Sequence, residues 1–178
     1  HHTIMDFTLD IAQNSIEAGA GVITVDIVER GDMLTICVGD NGKGMSSEIL
    51  AKVQDPFYTD GQKHSARSVG LGIPFLDQAA KAAGGEFEIK SEEGFGTSVL
   101  FSFNVSNLDC PPLGDLPGTI LSMMIFECYY ECMVTRSNGK GSYRVTRSEL
   151  IDALGGIHDA GSLKLAREYI SSLDEELL

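Results

Sequence analysis

The sequence has no tryptophan, only five prolines, and no C-x-x-C pair among its four cysteines, Cys37, Cys110, Cys128 and Cys132. That spacing lacks the C-x-x-C signature of a zinc ribbon or a thioredoxin-like motif and leaves reduced, partly buried thiols as the plain reading. One alternative stays open: if the stretch around them is helical, Cys128 and Cys132 share a helix face, where a metal or redox role is conceivable. Long apolar runs are missing too, so no segment reads as membrane-spanning or as a secretory signal, and the expectation is a cytoplasmic protein with no membrane partner. Positive charge is scarce: 13 Lys and Arg face 26 Asp and Glu, a net charge of −13. Such a balance repels a phosphate backbone and excludes nonspecific nucleic-acid binding. What is present is a 178-residue chain, 43% apolar, enough for one good core or for a domain with a small appendage.

Residues 3–18 place Ile4, Phe7, Ile11 and Ala18 at three- and four-residue steps, an amphipathic helix ended by Gly19-Ala20-Gly21. VITVDIVE and MLTICVG alternate as two strands around a tight turn at Arg30-Gly31-Asp32. SSEILAKV reads as a short helix that has stopped by Pro56, and a polar surface loop runs from Tyr58 to Gly70. A helix follows from Gly72, with Pro74 in its first turn and Gly84-Gly85 as its stop, and EFEIKS and TSVLFSFNV make a second strand pair. Pro111-Pro112 looks like a boundary, dividing 1–106 from an appendage at 107–178. Beyond it TILSMMIFECYY reads as a buried helix with strand character near Cys128, and ECMVTRS and SYRVTRS as a hairpin around Asn138-Gly139-Lys140-Gly141. Thr146 and Glu149 form a capping-box match for a helix, and LKLAREYISSL closes the chain: an αββαα tail. Arg136, Lys140, Arg144 and Arg147 make the tail the most basic local region, read as a solvated face or, as the minority alternative, a dock for an acidic partner.

GDNGKGM, residues 39–45, sets glycines around one aspartate after an apolar run. It is not a P-loop, because Lys43 is followed by Gly44 and Met45, and not a dinucleotide turn, because Ser47 stands where a third glycine belongs. Asp40 follows a strand that would hold it fixed, and Gly42 and Gly44 would let backbone approach a flat ligand. A buried carboxylate accepting from an exocyclic amine makes a charge-assisted bond of roughly 1.5 to 3 kcal/mol. Asp10 and Asn14 are four apart on the first helix and share a face. Gly70-Leu71-Gly72 leads into a helix N-terminus, where free N–H groups favour phosphate.

Taken in order, DIAQNSIEAGA, DNGKGM, DPFYTD, GLGI and GTSVLFSF resemble the N, G1, F, G2 and final glycine boxes of the histidine-kinase-like ATPases, the superfamily that includes gyrase, the heat-shock chaperone ATPase and the mismatch-repair ATPase. The resemblance covers residues 3–104. It implies an α/β sandwich, a mixed sheet covered by helices on one side, with ATP beneath a lid. It implies that Asn14 ligates Mg²⁺, that Asp40 accepts from the adenine amino group, and that Gly42, Gly44 and Met45 shape the base pocket. Gly70, Leu71 and Gly72 would hold phosphate, Thr97 would support Asp40 through water, and Phe57 would anchor the lid. Lys63, His64 and Arg67 lie in the lid, and which of them reaches phosphate is left open.

The match is a hybrid. NSIEAGA looks like the mismatch-repair branch, whereas DPFYTD through GTSVLFSF looks like a sensor kinase with a short lid. Asp10 stands where gyrase and mismatch-repair ATPases carry a water-activating glutamate and sensor kinases a neutral side chain, so hydrolysis through Asp10 as general base is one expectation. Only nine residues precede Asp10, where a sensor kinase has its phosphoacceptor-histidine segment, so self-phosphorylation is not expected. The tail looks too small for the transducer domain of gyrase. The whole chain, PPLGDLPGTI included, is also similar to small stand-alone ATP-binding proteins of anaerobic bacteria, some encoded near iron hydrogenases. The implied function is Mg²⁺-dependent binding of ATP and ADP, with hydrolysis or phosphate transfer to a separate protein partner. The alternatives are a non-enzymatic ATP-sensing module that binds a partner protein and, disfavoured by charge, a DNA-processing ATPase.

Overall fold

The computed structural model describes residues 2–57 and 72–178. Helix α1, Ile4–Glu17, opens on a complete capping box: the Thr3 hydroxyl accepts from the Asp6 amide, and the Asp6 carboxylate accepts from the Thr3 amide. It buries Ile4, Met5, Phe7, Ile11 and Ala12, and the equally buried Thr8 donates to Ile4 O at 2.8 Å, so its hydroxyl is satisfied within the helix. Strands β1, Val22–Arg30, and β2, Met33–Asp40, form the expected hairpin, with Arg30 opposite Met33. Then come α2, Ser47–Val53, α3, Gly72–Ala82, β3, Phe87–Glu92, and β4, Gly96–Asn104. The tail supplies α4, Leu116–Met124, β5, Glu131–Asn138, β6, Gly141–Thr146, α5, Arg147–Leu154, and α6, Ala160–Leu177.

The strands make one sheet in the order β3-β4-β2-β1-β5-β6. Neighbours are antiparallel except β1 and β5, which run parallel. Cross-strand partners share a face, so the pairing defines rows across the sheet. One row reads Ile89, Val99, Val38, Val25, Val134, Val145, apolar from edge to edge, and all six are buried. Helices cover this face in the same lateral order as the strands: α3 over β3 and β4, α1 over β1 and β2, α4 over β5, α6 over β6. The opposite face carries Thr24, Asp26, Thr35, Thr135 and Arg144, exposed or half-exposed. This is the two-layer sandwich expected from the sequence, with the αββαα tail widening the same sheet.

The Pro111-Pro112 stretch is tied to α1: Ile4 N donates to Pro112 O and Met5 N to Leu113 O, which satisfies two amides of the helix N-terminus.

Two expectations for the tail are corrected. The apolar run 119–130 does not stay helical; α4 ends at Met124. Arg147 is the reason: its guanidinium donates to the carbonyls of Met124, Phe126 and Tyr130, while Tyr130 Oη donates to Met123 O and accepts from Phe126 N. The backbone of 125–130 thereby finds partners outside a helix. Cys128 therefore sits exposed in a loop and Cys132 buried in β5, on no common helix face, and burial pushes the Cys132 thiol up to about 12. No cluster of three metal-ligating side chains occurs among the described residues.

The basic tail is also not a uniformly solvated face. Arg136 is 3% exposed, with Nη2 2.8 Å from Glu29 of β1 and Nε 2.7 Å from Asp174 of α6, whose carboxylate also accepts from Tyr143 Oη. Lys140 Nζ donates to Leu178 O, and Arg144 alone of the four basic residues reads as plainly solvated. Removing the cation strands a carboxylate at the sheet–helix junction. Arg136→Met is expected to destabilise by about 3 kcal/mol in urea unfolding, against less than about 0.5 kcal/mol for the exposed Arg144→Met.

Candidate functional site

Along β2 the core-facing positions are Leu34, Ile36, Val38 and then Asp40, so the alternation that builds the core ends in a carboxylate. Asp40 lies in the row Ser91, Thr97, Asp40, Ile23, Cys132. Half of that row is apolar and the half toward β3 is hydroxyl-bearing. The carboxylate is held by two donors: Ser15 Oγ of α1 at 2.6 Å to Oδ2, and the Gly42 amide at 2.8 Å to Oδ1. Both are short, as expected for bonds to an anion. A carboxylate has about four lone-pair sites, so Asp40 keeps acceptor capacity after both bonds are made. The pair Ser91 and Thr97 is joined hydroxyl to hydroxyl at 2.8 Å.

The loop after Asp40 is fastened from three sides. Asn41 Oδ1 accepts the Gly21 and Val22 amides, both at 2.9 Å, tying the loop to the start of β1. Lys43 N donates to Ala18 O, Gly94 N to Lys43 O, and Met45 N to Ser91 Oγ. Gly42 and Gly44 were expected to make room for a ligand, and the structure gives them a nearer reason. A Cβ on Gly42 would crowd Ala18 O and Asp40 Oδ1 at 3.0 Å each, and one on Gly44, at φ +68°, would fall onto the Glu92 carbonyl. Their bareness lets the loop lie against the chain's own backbone and so brings the Asp40 row and the β3–β4 turn together. Met45 is half-buried on the core.

On α1, Asp10 and Asn14 are one turn apart, with Ser15 beside Asn14 pointing to Asp40. Asn14 Oδ1 is buried yet has no hydrogen-bond partner among the described residues. An oriented, desolvated amide oxygen suits a hard divalent cation such as Mg²⁺, which takes oxygen ligands, so the residue present fits the ion expected there. Asp10 is half-buried, and that burial pushes its carboxyl above the ordinary value, opposed by nearby His2 and reinforced by Asp6. Gly72 begins α3, with open space where a Cβ would stand. Phe57, the expected lid anchor, is 89% exposed. Lys63, His64, Arg67, Gly70 and Leu71, with the Tyr58–Gly70 loop assignment, lie outside the described residues.

Sequence reasoning missed Ser15, Ser91 and Asn41. Ser15 left one usable signal, a serine on the buried side of an amphipathic helix, four residues after Ile11; Ser91 and Asn41 act through partners distant in sequence. A groove lined by Ile4, Glu29, Met33, Val105 and Pro112 opens at the Met33 end of β2, the opposite end from Asp40, and holds none of these groups. Gly44→Ala tests the loop packing: a methyl at a left-handed position against the Glu92 carbonyl is expected to cost at least about 2 kcal/mol, seen as a lower Tm.

A family described as histidine kinase-, DNA gyrase B-, and HSP90-like ATPase matches residues 3–107. The chain is 35% identical over 91 residues to sporulation kinase C of Bacillus subtilis, covering 50% of this chain and 20% of that protein. It is 32% identical over 92 residues to the sensor histidine kinase ZraS of Escherichia coli, covering 51% and 19%. The chain thus matches about a fifth of the length of these relatives. Its fold is similar to the N-terminal domain of a DNA repair protein, TM-score 0.56 at 14% identity, over 90% of this chain and 58% of that one. The matched region takes in α1 through β4, with Asp10, Asn14, Asp40 and Thr97, and the chain belongs to the histidine kinase-, DNA gyrase B-, and HSP90-like ATPase family.

Proposed function

We propose that the chain binds Mg²⁺–ATP at the Asp40 end of the sheet and passes the γ-phosphoryl group to water or to an acceptor on a separate partner protein. The observation that carries the reading is Asp40 itself. It is a carboxylate in a core-facing strand position, pinned by Ser15 and Gly42, with acceptor capacity left for an exocyclic amine. Asn14 would hold the metal through its Oδ1, which has no partner among the described residues, and the ion would neutralise charge on the phosphate oxygens. Gly70, Leu71 and Gly72 would offer backbone amides to phosphate at the start of α3, and a basic side chain among Lys63, His64 and Arg67 would complete the charge balance.

Asp10 is the general base of this reading for hydrolysis. Burial makes its carboxylate more basic than one in water, the direction a general base needs. Where the acceptor is a protein, the relatives named as kinases suggest phosphotransfer in signalling. The net charge of −13 favours a protein over a nucleic-acid partner.

Asp40→Ala is expected to lower ATP affinity at least about tenfold, the scale of a charge-assisted bond, measured by calorimetry; unchanged affinity would remove Asp40 from the site. Asp10→Asn should keep binding while turnover drops about a hundredfold or more, and persistent turnover would exclude Asp10 as the base. The same variant has a stability signature. A folded-state pKa above the unfolded value contributes stability below the ordinary carboxylate range and loses it as pH rises through the raised value. Ionised Asp10 therefore opposes folding at pH 7, and Asp10→Asn is expected to raise Tm there, with the gain fading as pH falls below the ordinary carboxylate value.

A further inference from the structure

Ser91 sits on the edge strand β3, two strands away from Asp40, and its hydroxyl meets three groups at once. It accepts from Met45 N at 2.8 Å, lies 2.8 Å from Thr97 Oγ1, and lies 3.2 Å from Gly96 O. It has one proton to give. Given to Gly96 O, it leaves Thr97 to spend its own proton on Ser91, and the row then presents two acceptors side by side, Thr97 and Asp40. Given to Thr97 Oγ1, the shorter contact, it frees the Thr97 proton. Asp40 takes its protons from Ser15 and Gly42, so the Thr97 proton is then available to a ligand beside Asp40.

We propose that Ser91 is a positioning residue of the base site, which orients the Thr97 hydroxyl so that Asp40 and Thr97 present an acceptor beside a donor. That pattern complements the edge of adenine, an exocyclic amine donor beside a ring-nitrogen acceptor, and mismatches guanine, which offers an acceptor beside an N–H donor. The inference rests on the nucleotide reading above and adds to it a residue and a reason for base choice. Because Ser91 also accepts the Met45 amide, the same hydroxyl links the glycine loop to the base-reading pair.

The test is a double-mutant cycle on the purified chain, read as affinity for ATP and for the purine riboside triphosphate that lacks the 6-amino group. Ser91→Ala is expected to weaken ATP binding about three- to tenfold, the scale of one neutral hydrogen bond. It should weaken the 6-unsubstituted analogue by the same factor, since that analogue keeps the ring nitrogen; Asp40→Ala should weaken ATP alone. In a Thr97→Val background the Ser91→Ala loss should shrink to less than about twofold, and Ser91→Thr should restore parental affinity. A Ser91→Ala loss that stays whole in the Thr97→Val background overturns the proposal, because Ser91 then acts through the loop or the fold. So does Ser91→Ala binding at parental affinity. A parent chain that binds no adenine nucleotide overturns the nucleotide reading and this inference with it, which separates the two failures.

Discussion

The site hangs on the register of β2 between β1 and β4. Leu34 faces Phe103, Ile36 faces Phe101, Val38 faces Val99, and only this alignment sets Asp40 opposite Thr97 on the helix-covered side. A slip of one residue would turn Asp40 to the open face and expose the apolar partners that hold the register. Hydrophobic pairing therefore positions a polar group it gains nothing from. The cost of bringing a carboxylate to the edge of the core is offset by Ser15 and the Gly42 amide, both supplied by neighbouring segments that the same packing delivers.

Stability and function share atoms here, which is why their roles separate only by substitution. Gly42 and Gly44 serve the packing of backbone on backbone, and in doing so they bring Met45, Ser91 and Thr97 into one hydrogen-bonded group. Asn14 and Asp10 run the other way. A buried amide oxygen without a partner among the described residues and a carboxylate raised by burial are both unfavourable, and such groups are the ones expected where a chain trades stability for chemistry.

The tail joins this economy through the sheet. β5 pairs parallel with β1 along its length, and α4 packs on α1, so residues beyond 107 share a core with the matched ATPase region. Arg136 bridges β5 to Glu29 and Asp174, linking the sheet's interior to the C-terminal helix. A change at α6 thus has an ion-paired route through Arg136 to β1, whose first residues are held by Asn41 beside Asp40.

Much of this was legible in the residues themselves. The alternation of β1 and β2, the three- and four-residue steps of α1, the Thr146 cap and the glycine stops were readable because each depends on neighbours within a few positions. Asp10, Asn14, Asp40 and Thr97 were readable as candidates because their motif spacing is local. The end of α4 was not, since Arg147, more than twenty residues on, satisfies the carbonyls that release 125–130 from the helix. Nor was the burial of Arg136, whose partners lie on β1 and α6. Ser15 and Ser91 were silent for the same reason: a serine is an ordinary residue until tertiary packing sets a carboxylate or a threonine hydroxyl within hydrogen-bond reach. Local periodicity and spacing determined the elements and the candidate groups; only the long-range pairing of strands and helix decided which of those groups meet, because hydrogen bonds act over about 3 Å and the chain brings distant residues that close only when it folds.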